Sequence, residues 1–208
     1  TTLPIYLIAE YPSGRRLSGK KIETPAPIPS LTKIITAAVA IQNGYALDNT
    51  QLTYDAKKSA AENNYLRLAS GDAISKKDAF NTMLVGSVNQ LARLVAQNSG
   101  GSEPDFVAAA NDRLRRWGAN ATAIADSSGL SPENRSTARD LLKIFTKVLK
   151  EDNIKTALGT TPYTVTIVRR KKPLKMAVNH SNQLLRSKKL PYEILASKTG
   201  YTTEGGQK

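Results

Sequence analysis

Three short stretches carry residue types that could perform acyl transfer. Pro29-Ser30-Leu31-Thr32-Lys33 sets a serine at the opening of an apolar helical pattern and a lysine three residues on, one turn away on the same face. The two side chains can therefore meet. A serine hydroxyl is a weak nucleophile until a base takes its proton, and an uncharged amine is such a base. The positive end of a helix disfavours charge on that amine and suits a developing oxyanion. Ser30 is read as the nucleophile and Lys33 as its base. The pattern by itself is weak: Ser-x-x-Lys recurs at Ser18 and Lys21, in a strand and charged turn, and a serine before a helix is commonly only its cap.

Ser87-Val88-Asn89 follows Gly86, where one helical pattern breaks, and precedes Leu91, where another begins. On an interhelical loop the serine could pass a proton and the asparagine hold a substrate amide; the plainer alternative is a turn that caps the next helix. Lys198-Thr199-Gly200 lies within Ile194 to Thr202, which reads as a strand. Lysine and threonine there could bind a carboxylate, and Gly200 would let a ligand backbone lie close to the sheet. The alternative for this triplet is an exposed basic strand end.

The composition narrows the chemistry further. There is no cysteine, which excludes disulfides, a thiol nucleophile and Cys-ligated zinc. His180 is the single histidine; in Asn-His-Ser-Asn it is read as a loop hydrogen-bonder rather than a catalytic base or metal ligand. No metal site and no cofactor are expected.

These residues need elements to position them. Residues 3–10 and 15–22 read as two strands joined through Pro12, Ser13 and Gly14. Leu31, Ile34, Ile35, Ala38 and Ile41 repeat at helical spacing up to Gly44, a C-terminal stop, so this helix should be buried. From Tyr45 to Leu158 the signals are mainly helical: Phe80, Met83 and Leu84; Leu91, Leu94 and Val95; Phe106, Ala110, Leu114 and Trp117; then Leu141, Leu142, Phe145, Val148 and Leu149, with Ser136 placed to cap the last helix. Strand character returns in TPYTVTIV, PLKMAV and YEILASKTGYT. The expectation is one domain over 1–208, with a sheet lobe (1–45 and 159–208) in which N- and C-terminal strands share one sheet, and a helical lobe (46–158).

The order Ser-x-x-Lys, Ser-x-Asn, Lys-Thr-Gly on helix, loop and strand matches the motif set of penicillin-recognising serine enzymes. Through PSLTKIITA, SSGLSPENRSTARDL, NHSNQLL and SKTGYT the chain resembles the D-alanyl-D-alanine carboxypeptidase and endopeptidase family, the low-molecular-mass penicillin-binding proteins, over nearly its whole length. GLSPENRSTARDL and YEILASKTGYT look closer to the endopeptidase branch. The resemblance implies a penicillin-binding-protein/β-lactamase-like α/β fold, an antiparallel sheet flanked by helices with a helical lobe, and a groove at their junction. It implies that Ser30 attacks a D-alanine carbonyl, Lys33 takes its proton and Ser87 relays a proton to the departing amine. Asn89 would hold substrate and Lys33, and Lys198 and Thr199 the carboxylate beyond the scissile bond. The NH groups of Ser30 and Tyr201 would form the oxyanion hole, and Gly200 belongs to the substrate-binding triplet. Peptidoglycan stem peptides are the implied substrates, β-lactam antibiotics the implied inhibitors, and the implied location is outside the cytoplasmic membrane, periplasmic or extracellular. Departures are Gln90, where the family often has an acidic residue, and LAS before the lysine triplet. Relatives also continue past the equivalent of TTEGG into further strands, so the C-terminal strands of the sheet are expected to be missing.

The 30 Lys and Arg against 17 Asp and Glu give a formal charge of +13, which draws polyanions. Basic clusters at Arg15 and Arg16, Lys20 and Lys21, Arg169 to Lys172, and Lys188 and Lys189 read mostly as turns on a solvated surface. No nucleic-acid module accompanies them, so no nucleic-acid partner is expected; contact with an anionic wall polymer or membrane surface stays open. Two other functions compete with this reading. A β-lactamase of the same superfamily needs a carboxylate to activate the deacylating water, and no Glu-x-x-Leu-Asn segment supplies one; Glu103, Glu133 and Glu151 each have a place on a helix end or loop. A non-catalytic basic module that binds wall polymer or nucleic acid leaves the three motifs without a role.

Overall fold

The structure is a computed structural model and describes residues 3–62, 65–187, 190–202 and 206–207. In chain order the elements are β1 (Tyr6–Ala9), β2 (Arg16–Lys20), β3 (Ala26–Pro27), α1 (Thr32–Gln42), β4 (Gln51–Thr53), α2 (Ala56–Ser59), β5 (Ala73–Ser75), α3 (Lys76–Val85), α4 (Asn89–Gly100), α5 (Glu103–Arg116), β6 (Arg135–Ser136), α6 (Ala138–Val148), α7 (Asp152–Gly159), β7 (Tyr163–Arg169), β8 (Lys172–Val178), β9 (Tyr201–Thr202) and β10 (Gly206–Gln207). Lys188 and Lys189 of the basic clusters lie outside the described residues.

The core is organised around α1. Ile34, Ile35, Ala37, Ala38, Val39 and Ala40 are all buried, so this helix is enclosed on every side, as a central helix must be. Helices α3, α4, α5, α6 and α7 pack around it. It ends where expected: Asn43 closes the last turn and Gly44 takes φ +84°, the left-handed conformation in which a side chain is disfavoured. For α6 the cap is one residue later than the sequence suggested. Thr137 accepts the Asp140 N–H, while the Ser136 hydroxyl turns inward to Thr122.

One antiparallel sheet has the order β4-β5-β7-β8. Along β7, Val165 and Ile167 are buried beneath α3, and β7 turns into β8 through Arg170 and Lys171, both at positive φ, as a two-residue hairpin requires. The basic run is thus a hairpin tip, as expected. The expectation that N- and C-terminal strands share this sheet is corrected. β1 and β2 pair with each other and β1 lies against α6, while β5 bonds one edge of β7 through Ala73↔Val168 and β8 bonds the other. Both edges of β7 are therefore taken, and the stretch that reads as helical contributes β4 and β5 to the sheet.

The strand expected over 194–202 is also corrected: only Tyr201 and Thr202 are extended into a ladder, in β9 against β10. A strand needs a neighbour that offers backbone groups, and residues 194–200 have none among the described residues. Their backbone is tied at Ser197, whose N–H reaches the Leu158 carbonyl.

Candidate active site

Ser30 occupies a 3₁₀ turn, Pro29–Leu31, that runs straight into α1, and Pro29 at its first position fixes the entry. Its hydroxyl caps neither helix, which removes the plainer role for a serine there. Instead it lies 2.9 Å from Lys33 Nζ. Lys33 is 0% exposed, and its Nζ donates to Asn89 Oδ1 at 2.7 Å and to the Ser128 carbonyl at 2.6 Å. Those two oxygens can only accept. A neutral amine has two N–H bonds and one lone pair, so with both N–H groups claimed the lone pair is left facing Ser30. The Ser30 hydroxyl can then donate to it. Burial, and after it the charge of Lys198, push the Lys33 amine well below the ordinary lysine range, against the pull of Asp126. An amine disposed against charge in this way can take a proton from the serine hydroxyl.

The Asn89 amide is oriented from its other end, because Nδ2 donates to the Glu62 carbonyl at 3.2 Å. Ser87 lies between α3 and α4, as expected, and holds φ +57°, sparsely populated for a residue with a side chain. Gly86 before it packs so tightly on β8 that an added Cβ would come 2.5 Å from a methyl of Val178. Backbone crowding thus sets the Ser87 hydroxyl where the Lys198 amine donates to it at 2.7 Å.

Lys198 is no exposed strand end: it is 8% exposed, also bonds the Thr199 carbonyl at 2.9 Å, and burial depresses its amine to about 7. Thr199 Oγ1 donates to Ser181 Oγ at 2.6 Å, and Gly200 lies against the Ser30 backbone N–H, where an added Cβ would sit 3.4 Å from the nitrogen. The Tyr201 side chain is exposed at the mouth of the cleft. The three motifs, far apart in sequence, therefore line one cleft of about 520 Å³. No carboxylate lines it among the described residues.

Residues outside the motifs complete the site. The turn 126–131 supplies the Ser128 carbonyl to Lys33. Its Asp126 carboxylate accepts the backbone N–H of Ser128, Gly129 and Ser131 and the Ser128 hydroxyl. Burial works against the Asp126 charge, but these hydrogen bonds outweigh it and hold its carboxyl below the usual range. Gly129, at φ +88°, presses on the nucleophile turn: a Cβ there would lie 1.8 Å from the Pro29 carbonyl oxygen. Turn-forming Asp126 and Gly129 in ADSSGL were the available signal; the role of a backbone carbonyl leaves none. His180 is buried as a hydrogen-bonder, in keeping with its sequence reading. Its Nδ1 accepts the Asn182 N–H at 2.9 Å, which leaves Nε2 to donate to the Ser197 carbonyl at 3.1 Å. Glu103 is tied to Ser127 and Arg93.

The fold is that of the DD-peptidases. The chain superposes on a D-alanyl-D-alanine carboxypeptidase from Mycobacterium tuberculosis with a TM-score of 0.85, at 23% identity, over 98% of this chain and 75% of that one. It superposes on a variant of a Streptomyces DD-transpeptidase with a TM-score of 0.88, at 24% identity, over 98% and 82% of the two chains. Residues 4–208 match the family D-alanyl-D-alanine carboxypeptidase, peptidase S11, and the chain belongs to it. Among individual relatives, the D-alanyl-D-alanine endopeptidase of Pseudomonas aeruginosa is 29% identical over 200 residues, 96% of this chain and 63% of that protein. The D-alanyl-D-alanine endopeptidase of Haemophilus influenzae is 26% identical over 201 residues, 97% of this chain and 67% of that protein. This chain thus spans about two thirds of the length of either.

Proposed function

We propose that the chain carries the catalytic unit of a serine DD-peptidase, which cleaves D-Ala-containing peptide bonds of peptidoglycan through an acyl-enzyme on Ser30. In this reading Lys33 takes the Ser30 proton and Ser87 returns one to the departing amine. Asn89 orients Lys33 and the substrate amide, Lys198 and Thr199 bind the carboxylate beyond the scissile bond, and the backbone N–H groups of Ser30 and Tyr201, with Gly200 beside them, receive the oxyanion. The observation that carries it is the Lys33 amine, buried, bonded to two obligate acceptors and 2.9 Å from the Ser30 hydroxyl. Two relatives that match nearly the whole chain are endopeptidases, which favours cross-links over terminal D-Ala as the bond cut. Work on the cell wall places the protein outside the cytoplasmic membrane, in the periplasm or beyond. No described helix is long and apolar enough to cross a membrane.

A β-lactam presents a carbonyl and a carboxylate in the same relation as the peptide, and its leaving group stays tethered. With no carboxylate lining the cleft among the described residues to activate a water, the adduct should persist. Intact mass and peptide mapping after incubation with benzylpenicillin should find one lasting adduct on Ser30, absent in Ser30→Ala. A transient adduct with hydrolysed drug would mean a β-lactamase, and no adduct would remove the peptidase reading. Cross-linked and uncross-linked muropeptides offered in parallel then decide between endopeptidase and carboxypeptidase.

A further inference from the structure

One face of α4 carries a stripe of amide and guanidinium donors, of which the catalytic motifs account only for the first. Asn89, Gln90, Arg93 and Gln97 follow one another along one side of the helix. Each donates to a backbone carbonyl of the chain that crosses it in the opposite direction: Asn89 to Glu62, Gln90 to Ala61 at 2.6 Å, Arg93 to Ala60 and Gln97 to Lys58 at 2.9 Å. Ser59, buried, returns a bond to Gln97 Oε1 at 3.0 Å. Residues 58–62 are thus strapped to α4 by side chains, with Tyr65, 60% exposed on the cleft rim, a few residues on.

Gln90 is 0% exposed, and its Oε1 is buried with no partner among the described residues. A buried acceptor left unpaired costs free energy, so what Gln90 contributes is its N–H. An acidic residue of the same shape, ionised, could not supply one. Arg93 works in two directions. Beyond Ala60 its Nε lies 3.6 Å from the Glu103 carboxylate, whose other oxygen accepts the Ser127 hydroxyl at 2.7 Å and the Ser127 N–H at 3.1 Å. Ser128, next in the chain, supplies its carbonyl to Lys33. Both acceptors of the Lys33 amine are therefore supported from this stripe: Asn89 by the strap through the Glu62 carbonyl, Ser128 by Arg93 through Glu103 and Ser127.

We propose that Gln90 and Arg93 are positioning residues that, with the 58–62 strap, brace the Asn89 amide and the Ser128 carbonyl and so keep the Lys33 amine dry and aimed at Ser30. This rests on the reading of Lys33 as the base. A loosened brace would let water reach the amine. Its proton affinity would rise, and the neutral form would be reached only at higher pH. The rate of Ser30 acylation should then lose part of its value at neutral pH, and its rising limb should move to higher pH.

The test is acylation by a fluorescent penicillin across pH, with hydrogen exchange at residues 58–62, for wild type, Gln90→Met and Gln90→Glu. Gln90→Met keeps the volume and removes the donor. It should slow acylation about five- to tenfold at neutral pH, move the rising limb upward and speed exchange in the strap. In Gln90→Glu the introduced carboxyl can donate to Ala61 only while protonated, so its rate relative to wild type should recover as pH falls. Wild-type rates and an unmoved limb in both variants would overturn the proposal. So would a slower rate with an unmoved limb that tracks a loss of thermal stability, the mark of a merely structural residue. Should either variant not fold, Arg93→Lys, which keeps the charge and loses the fork, takes its place with the same expected limb shift. If wild type itself is not acylated, the peptidase reading has failed, while unchanged strap exchange in Gln90→Met would separately refute the brace.

Discussion

Lys33 and Lys198 are both buried lysines of one cleft, yet they are held in opposite ways. Lys33 stands on the first turn of α1, the helix around which the other helices pack, and its amine meets acceptors from two further segments. Lys198 stands on residues 194–200, which lack a ladder partner among the described residues and hang from single bonds: Ser197 N–H to Leu158, His180 to the Ser197 carbonyl, Asn182 Nδ2 to Ser197 Oγ at 2.7 Å. One wall is built by core packing. The other is suspended from side chains, and local opening should begin there.

The sharpest way to probe this contrast is to exchange each lysine for methionine, which keeps the stem and removes the amine. Lys33→Met should slow acylation by about a thousandfold, since the base is lost. Lys198→Met should cost about ten- to a hundredfold, mainly in recognition of the substrate carboxylate, because it removes a charged partner and leaves the base in place. Stopped-flow acylation with a chromogenic β-lactam checks both. Equal losses would mean that the two walls share one task.

The glycines sharpen the comparison next. Gly129→Ala would drive a methyl into the Pro29 carbonyl at a positive φ, so the nucleophile turn must move. A fall of several degrees in Tm together with a large loss of acylation is expected. Gly200→Ala adds a methyl at ordinary contact distance from Pro29 and from the Ser30 nitrogen, so the fold should keep its Tm while the covered N–H slows acylation. Thermal scans and acylation rates together separate them. A drop in Tm for Gly200→Ala would show that the suspended wall is as tightly packed as the other.

Much of the packed wall was legible because its key relation is local. Ser30 and Lys33 are one turn apart on any helix, and the apolar spacing announced that helix. The rest of that wall was not legible: Lys33 meets Asn89 and Ser128 across 56 and 95 residues of sequence, and Ser128 acts through a carbonyl that every residue possesses. For the suspended wall the motif was read and its geometry was not. The β propensity of Tyr192 to Thr202 says that such residues suit a sheet, but only a neighbouring strand makes one. The burial of Lys198 against Ser87 depends on Gly86 closing on Val178, which spacing cannot report.

Stability against pH should follow the lysine of the suspended wall. The folded value for Lys198, about 7, lies below the ordinary 10.5, so between these values the unfolded chain binds more protons than the folded one. Stability therefore rises with pH across that window, and below it the protein carries the full cost of a buried charge. Lys198→Met should remove this slope. The variant should be more stable than wild type near pH 6 by on the order of 2–4 kcal/mol, and the gap should close toward pH 10. Urea unfolding at several pH values measures it. A gap that does not change with pH would mean that Lys198 reaches solvent when charged.

The smallest effect belongs to His180, the pin behind that same wall. Burial, and then the nearby Lys198 charge, lower its pKa below the ordinary 6.5. Its neutral form is set in one tautomer, because Nδ1 accepts from Asn182 and Nε2 donates to Ser197. A proton arriving on Nδ1 would face the Asn182 N–H and break the acceptor side of the pin. Since the folded value is depressed, the stabilisation is complete above 6.5 and is lost as pH falls through the folded value. Hydrogen exchange at the Asn182 and Ser197 amides, corrected for intrinsic rates, should accelerate a few-fold between pH 7 and 5 while the amides of α1 stay protected. His180→Gln can still donate toward Ser197 but has no group to titrate, so its exchange should be the same at both pH values. Equal acid sensitivity in the variant would move the switch to another group, and acceleration in α1 as well would show that the two walls open together.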